Sequence, residues 1–341
     1  MLLLSSNCMF ELELERVIAE IRKRNAKRVL LQLPDGMRPF AFQIAEFIRK
    51  ATSAQVILSG DSCYGACDLA SRQSTELMVD LLIHYGHSCY VPDIGVPVLY
   101  VEARIPIDIG KLVEAAISYM DGWLKVGLTS TIQHTAQLKE VAEVLEGRGF
   151  EALVGKGRGV TPENGQVLGC SYSAATNLSE DVDGYLFIGG GKFHSLGLAL
   201  TTGKPVIVAN PYSGDVSMFD ESELMQLAKR RMAAIVSASK AKTIGILVSS
   251  KPGQRALVES MILAEKLRDR SVTAFLIYLD EVRADQLNNF TEPEAFIETA
   301  CLRIAIDGVA GIDRPILTTT EAKVLLGERS WEETWGHGYF S

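Results

Sequence analysis

The chain has 341 residues, 47% of them hydrophobic and 22% charged, a composition that excludes a disordered polymer and a length that favours two or three domains over one core. A net charge of -8 gives no support to a nonspecific nucleic-acid binder, which needs basic surface to displace counterions from phosphates. Six cysteines are too few for a disulfide scaffold.

The opening Met1-Leu2-Leu3-Leu4 is interrupted at once by Ser5, Ser6 and Asn7, too short for the apolar region of a signal peptide. No apolar run approaches the ~20 residues of a membrane span. A cytosolic protein is expected, with cysteines that are buried, catalytic or metal-bound.

Along the chain one pattern occurs three times. "RVLLQLPDGMRPFAFQIAEFIRKATSAQVILSG" reads as a buried strand, a Pro-Asp-Gly turn, a helix with Phe42, Ala45 and Ile48 on one side, and a second strand. "KVGLTSTIQHTAQLKEVAEVLEGRGFEALVG" repeats it, with strand Val126 to Leu128, a helix carrying Leu138, Val141, Ala142 and Leu145, and Gly147 and Gly149 as its stop. "TIGILVSSKPGQRALVESMILAEKLRDRSVTAFLIYLD" does so again.

Helical bridges are expected in "DIGKLVEAAISYMDGW" and "FDESELMQLAKRRMAAIVSASK". The expected fold is α/β: three similar small domains, 1–121, 122–218 and 219–341, each a parallel open sheet flanked by helices, arranged around a pseudo-threefold central site.

Each unit runs on to a cysteine and then to a further apolar strand: Cys67 before "VDLLIHYG", Cys170 before "DGYLFIGGG", Cys301 before "RPILTTT". The cysteine falls 39 residues after Arg28, 44 after Val126 and 57 after Ile244, and the longer third interval reads as an insertion over Asp280 to Glu294. Cys63-x-x-x-Cys67 is also the first half of a C-x3-C-x2-C cluster loop, but Ala70 stands where the third cysteine belongs. Ligands gather at the carboxyl ends of parallel strands, so one thiolate from each domain could converge on an iron-sulfur cluster or zinc. The competing reading is three ordinary buried cysteines.

Taken together and in this order, "GDSCYGACDLA", "HYGHSCY", "GQVLGCSY", "GGGKFH" and "ETACLRIAIDG" resemble the diphthamide-synthesis radical enzymes, the 2-(3-amino-3-carboxypropyl)histidine synthase family, in its archaeal homodimeric form. The resemblance implies a 4Fe-4S cluster on Cys67, Cys170 and Cys301. Related subunits keep the Tyr64-Gly65-Ala66-Cys67 cysteine without one at the position of Cys63, which makes Cys63 a neighbour. It further implies that S-adenosylmethionine binds at the open iron and is cleaved between sulfur and Cγ after one-electron reduction. The 3-amino-3-carboxypropyl group then passes to imidazole C2 of a histidine on translation elongation factor two. An external electron donor is required.

Cofactor contacts are expected from the strand-end loops Pro34-Asp35-Gly36, Gly189-Gly190-Gly191 and Ser249-Ser250-Lys251-Pro252-Gly253-Gln254, with Lys251 or Arg303 meeting a carboxylate and Asp307 close to the ligand. His84 and His87 are either substrate-facing or a satisfied structural pair. His194 either lines the pocket or caps a helix. Cys89 reads as packing and Cys8 as incidental. "GGGKF" is no phosphate loop, because Phe193 follows Lys192 where Ser or Thr is needed. The aromatic tail "SWEETWGHGYFS" is expected to pack on its own domain rather than on a partner. The alternatives are a quinolinate synthase-like three-cysteine dehydratase, a noncatalytic cluster-carrying electron-transfer subunit and a structural zinc protein.

Overall fold

The computed structural model describes residues 9–91, 93–219, 221–335 and 339; Cys8 and part of the aromatic tail lie outside them. Strands β1 (Arg28–Gln32), β2 (Gln55–Leu58), β3 (Leu81–Tyr85) and β4 (Val98–Val101) form a parallel sheet in the order β2-β1-β3-β4. The third sheet follows the same plan: β10 (Thr243–Ser249), β11 (Thr273–Leu279), β12 (Ala295–Glu298) and β13 (Ile316–Thr318) lie in the order β11-β10-β12-β13.

The second sheet has β5 (Lys125–Ser130), β6 (Glu151–Val154), β7 (Gly184–Ile188) and β8 (Val206–Ala209) in that arrangement too. To these it adds an edge strand, β9 (Val216–Met218), antiparallel to β8, so it is mixed rather than purely parallel. Helices cover both faces of the sheets, which is why β3 and β7 are buried at every position.

Each unit also begins with a helix ahead of its first strand. Leu14–Lys23 puts Leu14, Val17 and Ile21 into the first core, and Glu221–Ala238 puts Ile235 and Ala238 into the third. Between them, Gly110–Ile117 packs Leu112, Val113 and Ala116 into the second core. The boundary expected at 121 therefore separates this helix from the sheet that holds it. In the helix Ala41–Ala51 the core face is Ala41, Ile44 and Ile48, while Phe42 is 79% exposed. The 3-10 turn Asp35–Phe40, which contains Pro39, sets the phase one residue away from the expected face.

The cysteines are not at three equivalent places. Cys67 and Cys170 lie between the second and third strands of their units, whereas Cys301 follows β12, the third strand of its unit. The longer interval before Cys301 is one more strand, and Asp280 to Glu294 is the counterpart of the first two cysteine-bearing connections rather than an insertion. All three nevertheless sit at carboxyl ends of parallel strands.

The three units touch in a closed set. Gln133 donates to the Gly86 carbonyl at 2.7 Å and joins the first to the second. The Gly253 N–H donates to the Cys67 carbonyl at 2.9 Å and joins the first to the third. The Arg303 guanidinium lies 4.3 Å over the Phe193 ring and joins the third to the second. In the described part of the tail Trp331 and Trp335 stack at 5.2 Å, and Tyr339 is buried not only with Leu227 and Ile306 of its own unit but also with Leu200 of the second.

Candidate active site

A cavity of about 940 Å³ opens where the carboxyl edges meet, and Cys67, Cys170 and Cys301 all line it. Their charges are mutually felt. Burial and then the neighbouring Cys67 and Cys301 push the Cys170 thiol up to about 11. Tyr90, the last residue of "HYGHSCY" and not among the expected site residues, lines the same cavity and is raised to about 12 by burial and then by Cys170 and Cys67. A cation at this point would stabilise all three thiolates together.

Each cysteine is held by specific backbone. Gln254 Nε2 donates to Cys67 Sγ at 3.2 Å, and the Gly253 backbone lies so close that an added Cβ would fall 2.6 Å from Cys67 Cα. Cys301 caps the helix Leu302–Asp307, and its N–H donates to Glu298 Oε1 at 3.2 Å. Glu298 is buried and raised to about 7 by desolvation, and its Oε2 has no hydrogen-bond partner. Around Cys170 the chain turns through a Leu168 and Ser171 bridge, and a Cβ on Gly169 would strike the Phe193 ring at 2.2 Å.

Of the other expected residues, Pro34, Gly36, Gly190, Ser249, Lys251, Gln254, Arg303, Asp307, His87 and His194 line the cavity. Asp35, Gly189, Gly191, Ser250 and His84 do not. Asp35 pairs with Arg38 at 3.1 Å on the exposed turn, and the Ser250 hydroxyl donates to Asp280. Gly189 packs against Phe187, and Gly191 takes φ 69° as the N-cap of the helix Lys192–Thr202. His84 is fully enclosed.

Lys251 is already paired with Asp68 at 2.7 Å. Burial is the largest single influence and opposes its charge, but the Asp68 hydrogen bond together with the charges of Asp68, Glu281 and Asp280 keeps its pKa above the ordinary lysine value. Arg303 also has a partner, Asp307 at 2.7 Å, yet its Nη1 is buried without one. A ligand carboxylate reaching that nitrogen would satisfy it. His194 is held near 4 by burial and then by Arg303, so it faces the cavity uncharged. Cys63 is buried outside the lining, and desolvation raises its thiol to about 12; the exposed Cys89 lies outside it too.

Among the described residues, the one group of His, Cys, Asp or Glu ligand atoms all within 4.8 Å of one another is Cys63, His84 and His87. The three cavity cysteines are therefore spaced too widely for one zinc ion, whose sulfurs at ~2.3 Å would lie about 3.8 Å apart. A larger cluster with soft sulfur ligands suits them better. No helix of the described residues is long and apolar enough to cross a membrane.

The comparisons with known proteins agree with this geometry. Residues 33–336 match the family model described as "Putative diphthamide synthesis protein". The chain is 36% identical over 322 residues to the 2-(3-amino-3-carboxypropyl)histidine synthase of Pyrococcus horikoshii, covering 94% of this chain and 92% of that protein. It is 29% identical to subunit 1 of the synthase of Gallus gallus, covering 97% of this chain and 80% of that one. The crystal structure of Dph2 from Pyrococcus horikoshii with a 4Fe-4S cluster superposes with a TM-score of 0.86 at 36% identity, covering 96% of each chain. By sequence along nearly its whole length, and by fold, the chain belongs to the diphthamide synthesis family.

Proposed function

We propose that this protein carries out the first step of diphthamide synthesis, transferring a 3-amino-3-carboxypropyl group from S-adenosylmethionine to imidazole C2 of a histidine on translation elongation factor two. The observation that carries the reading is one cavity lined by a cysteine from each of three α/β units. Cys67, Cys170 and Cys301 would hold a 4Fe-4S cluster with one iron left open, the arrangement catalysis needs. When bound, the cluster supplies the low-potential electron for cleaving a sulfonium carbon-sulfur bond.

The chain's own residues then have to place S-adenosylmethionine so that Cγ, and not another carbon on sulfur, faces the iron. Arg303 is suited to fix the methionyl carboxylate through its unpaired Nη1, held in place by Asp307 and the Phe193 face. The neutral His87 and His194 add no positive charge against the sulfonium. Gln254 steadies Cys67 by its N–H to sulfur.

The same reading makes the protein a homodimer served by an external one-electron donor in the cytosol, where the elongation factor works. A dimer would have apolar surface to bury: Val258 is 72% exposed, Leu257, Met261 and Ile262 are also exposed on one helix, and Phe275 and Tyr278 are exposed on the adjoining edge strand β11. Anaerobically reconstituted protein, given dithionite, S-adenosylmethionine and the elongation factor, is expected to form methylthioadenosine and a modified histidine. Formation of 5'-deoxyadenosine instead, or of neither product, refutes the reading.

A further inference from the structure

The cavity wall contains a chain of hydrogen bonds whose direction can be read from its fixed end. Gln32 Nε2 donates to the Asp68 carbonyl at 2.7 Å, and Gln32 Oε1 accepts from the Ala70 N–H at 3.1 Å, so the amide cannot be flipped. His84 Nδ1 lies 2.9 Å from that same Oε1 and must therefore donate to it. Complete burial holds His84 well below its ordinary pKa, so the ring is neutral and its Nε2 carries a lone pair. His87 Nδ1 is 3.0 Å from that Nε2 and must donate in turn. Burial outweighs a hydrogen bond to the Tyr85 backbone, which favours the charged ring, and brings His87 down to about 4, so it too is neutral, and the bond to His84 puts its proton on Nδ1. With that proton on Nδ1 its Nε2 can only accept, and the residue lines the cavity. The φ of +87° at Gly86, whose added Cβ would meet Pro34 Cγ at 2.6 Å, turns the chain sharply just before His87.

We propose that His87 Nε2 is the base that takes the proton leaving C2 of the substrate imidazole, and that Gln32 and His84 are positioning residues that keep that nitrogen unprotonated. The assignment rests on the function proposed above. Once the 3-amino-3-carboxypropyl radical has formed its carbon-carbon bond to C2, the ring carries one unpaired electron and still bears the C2 hydrogen. Restoring aromaticity breaks the C2–H bond. One electron would go back to the iron-sulfur cluster that supplied it, and the C2–H bonding pair would join the ring as the proton passes to His87 Nε2. Loss of that electron leaves the adduct a cation whose C2–H is strongly acidic, so a weak base suffices if its lone pair is in place beforehand. Cys63, whose sulfur belongs to the same tight group, stays a neutral thiol and leaves the direction of the relay unchanged.

Two measurements test this. In full-length protein with an oxidised cluster and nitrogen-15 histidine, long-range proton-nitrogen correlation at neutral pH is expected to show His84 and His87 both protonated on Nδ1 and bare on Nε2. In Gln32→Leu the His87 pattern becomes mixed. Under turnover, His87→Gln is expected to keep its iron and sulfide and still form methylthioadenosine. The yield of modified histidine per methylthioadenosine falls at least about tenfold, as befits a lost base, and the reverted radical appears as 2-aminobutyrate after reduction and protonation. A proton on His87 Nε2, a stoichiometric metal ion on Cys63, His84 and His87, a His87→Gln enzyme that stays coupled, or one that loses cleavage and transfer equally each overturns the assignment. Wild-type protein that forms no methylthioadenosine overturns the proposed function instead, and the nitrogen-15 result distinguishes the two failures.

Discussion

Replacing Gly253 with alanine perturbs the centre without removing a ligand or a charge. The new Cβ would sit 2.6 Å from Cys67 Cα and 2.7 Å from its Cβ, against the ~3.5–4.0 Å of comfortable carbon contact. The Ser249–Gln254 loop must then retreat from the Cys67 loop by about 1 Å. That stretches the 2.9 Å hydrogen bond from Gly253 to the Cys67 carbonyl beyond useful length and pulls Gln254 Nε2 away from the Cys67 sulfur. Overpacking of this kind costs ~1–3 kcal/mol and the lost hydrogen bond ~1 kcal/mol. Metal sites tolerate displacements of only about 0.2 Å in their ligands. Anaerobic reconstitution is therefore expected to leave less than about half of the wild-type iron and sulfide, with apparent melting several degrees lower. Gly60→Ala, where a Cβ meets open space, is the control and should match wild type. A Gly253→Ala protein with full cluster content and unchanged melting would refute the claim that this loop sets the position of Cys67.

The remaining expectations concern charge, the ligand and assembly. Glu298 has a folded pKa raised from 4.5 to about 7, so the folded state holds the extra proton and stability falls as pH rises through that window, by roughly 3 kcal/mol at most. Glu298→Gln should flatten the fall in melting temperature between those pH values; an unchanged slope contradicts the buried carboxyl. Arg231 is buried against Glu321 at 2.6 Å and donates to the Ala305 and Ile316 carbonyls, so Arg231→Met strands a charge and should cost ~3–5 kcal/mol in chemical denaturation. Arg303→Lys keeps the charge but loses the fork and the Phe193 stacking, and should weaken S-adenosylmethionine binding about tenfold or more in calorimetry, with little effect on iron content. Val258→Asp on the exposed apolar helix should shift the protein toward monomer in sedimentation, and an unaltered dimer would place the interface elsewhere.

The sheets were legible because continuous apolar runs such as Leu81 to Tyr85 are what doubly covered parallel strands require. What local pattern could not reveal was the count of strands crossed before each cysteine. Cys301 reads as the third copy of one position, yet it lies a strand later and reaches the cavity because any strand-end loop on the carboxyl edge can do so. Phe42 shows how one residue of helix phase decides between core and solvent. Lys251 and Arg303 look alike as cations in sequence, and only packing shows that Asp68 occupies the first while the second keeps an unpaired nitrogen. The directed relay brings Gln32 to His84 and His87 from far away in sequence, and Glu298 and Tyr90, though they stand at the ends of "ETACLRIAIDG" and "HYGHSCY", are marked by nothing local; long-range contacts of this kind leave no periodic trace.

The central claim is that one cysteine from each unit holds a single iron-sulfur cluster, and iron, sulfide and visible absorption in four single-alanine variants made under anaerobic conditions test it most directly. Cys67→Ala, Cys170→Ala and Cys301→Ala are each expected to lose the brown cluster while Cys63→Ala keeps it. A full cluster in any of the first three, or its loss in Cys63→Ala with retention in Cys67→Ala, would contradict it.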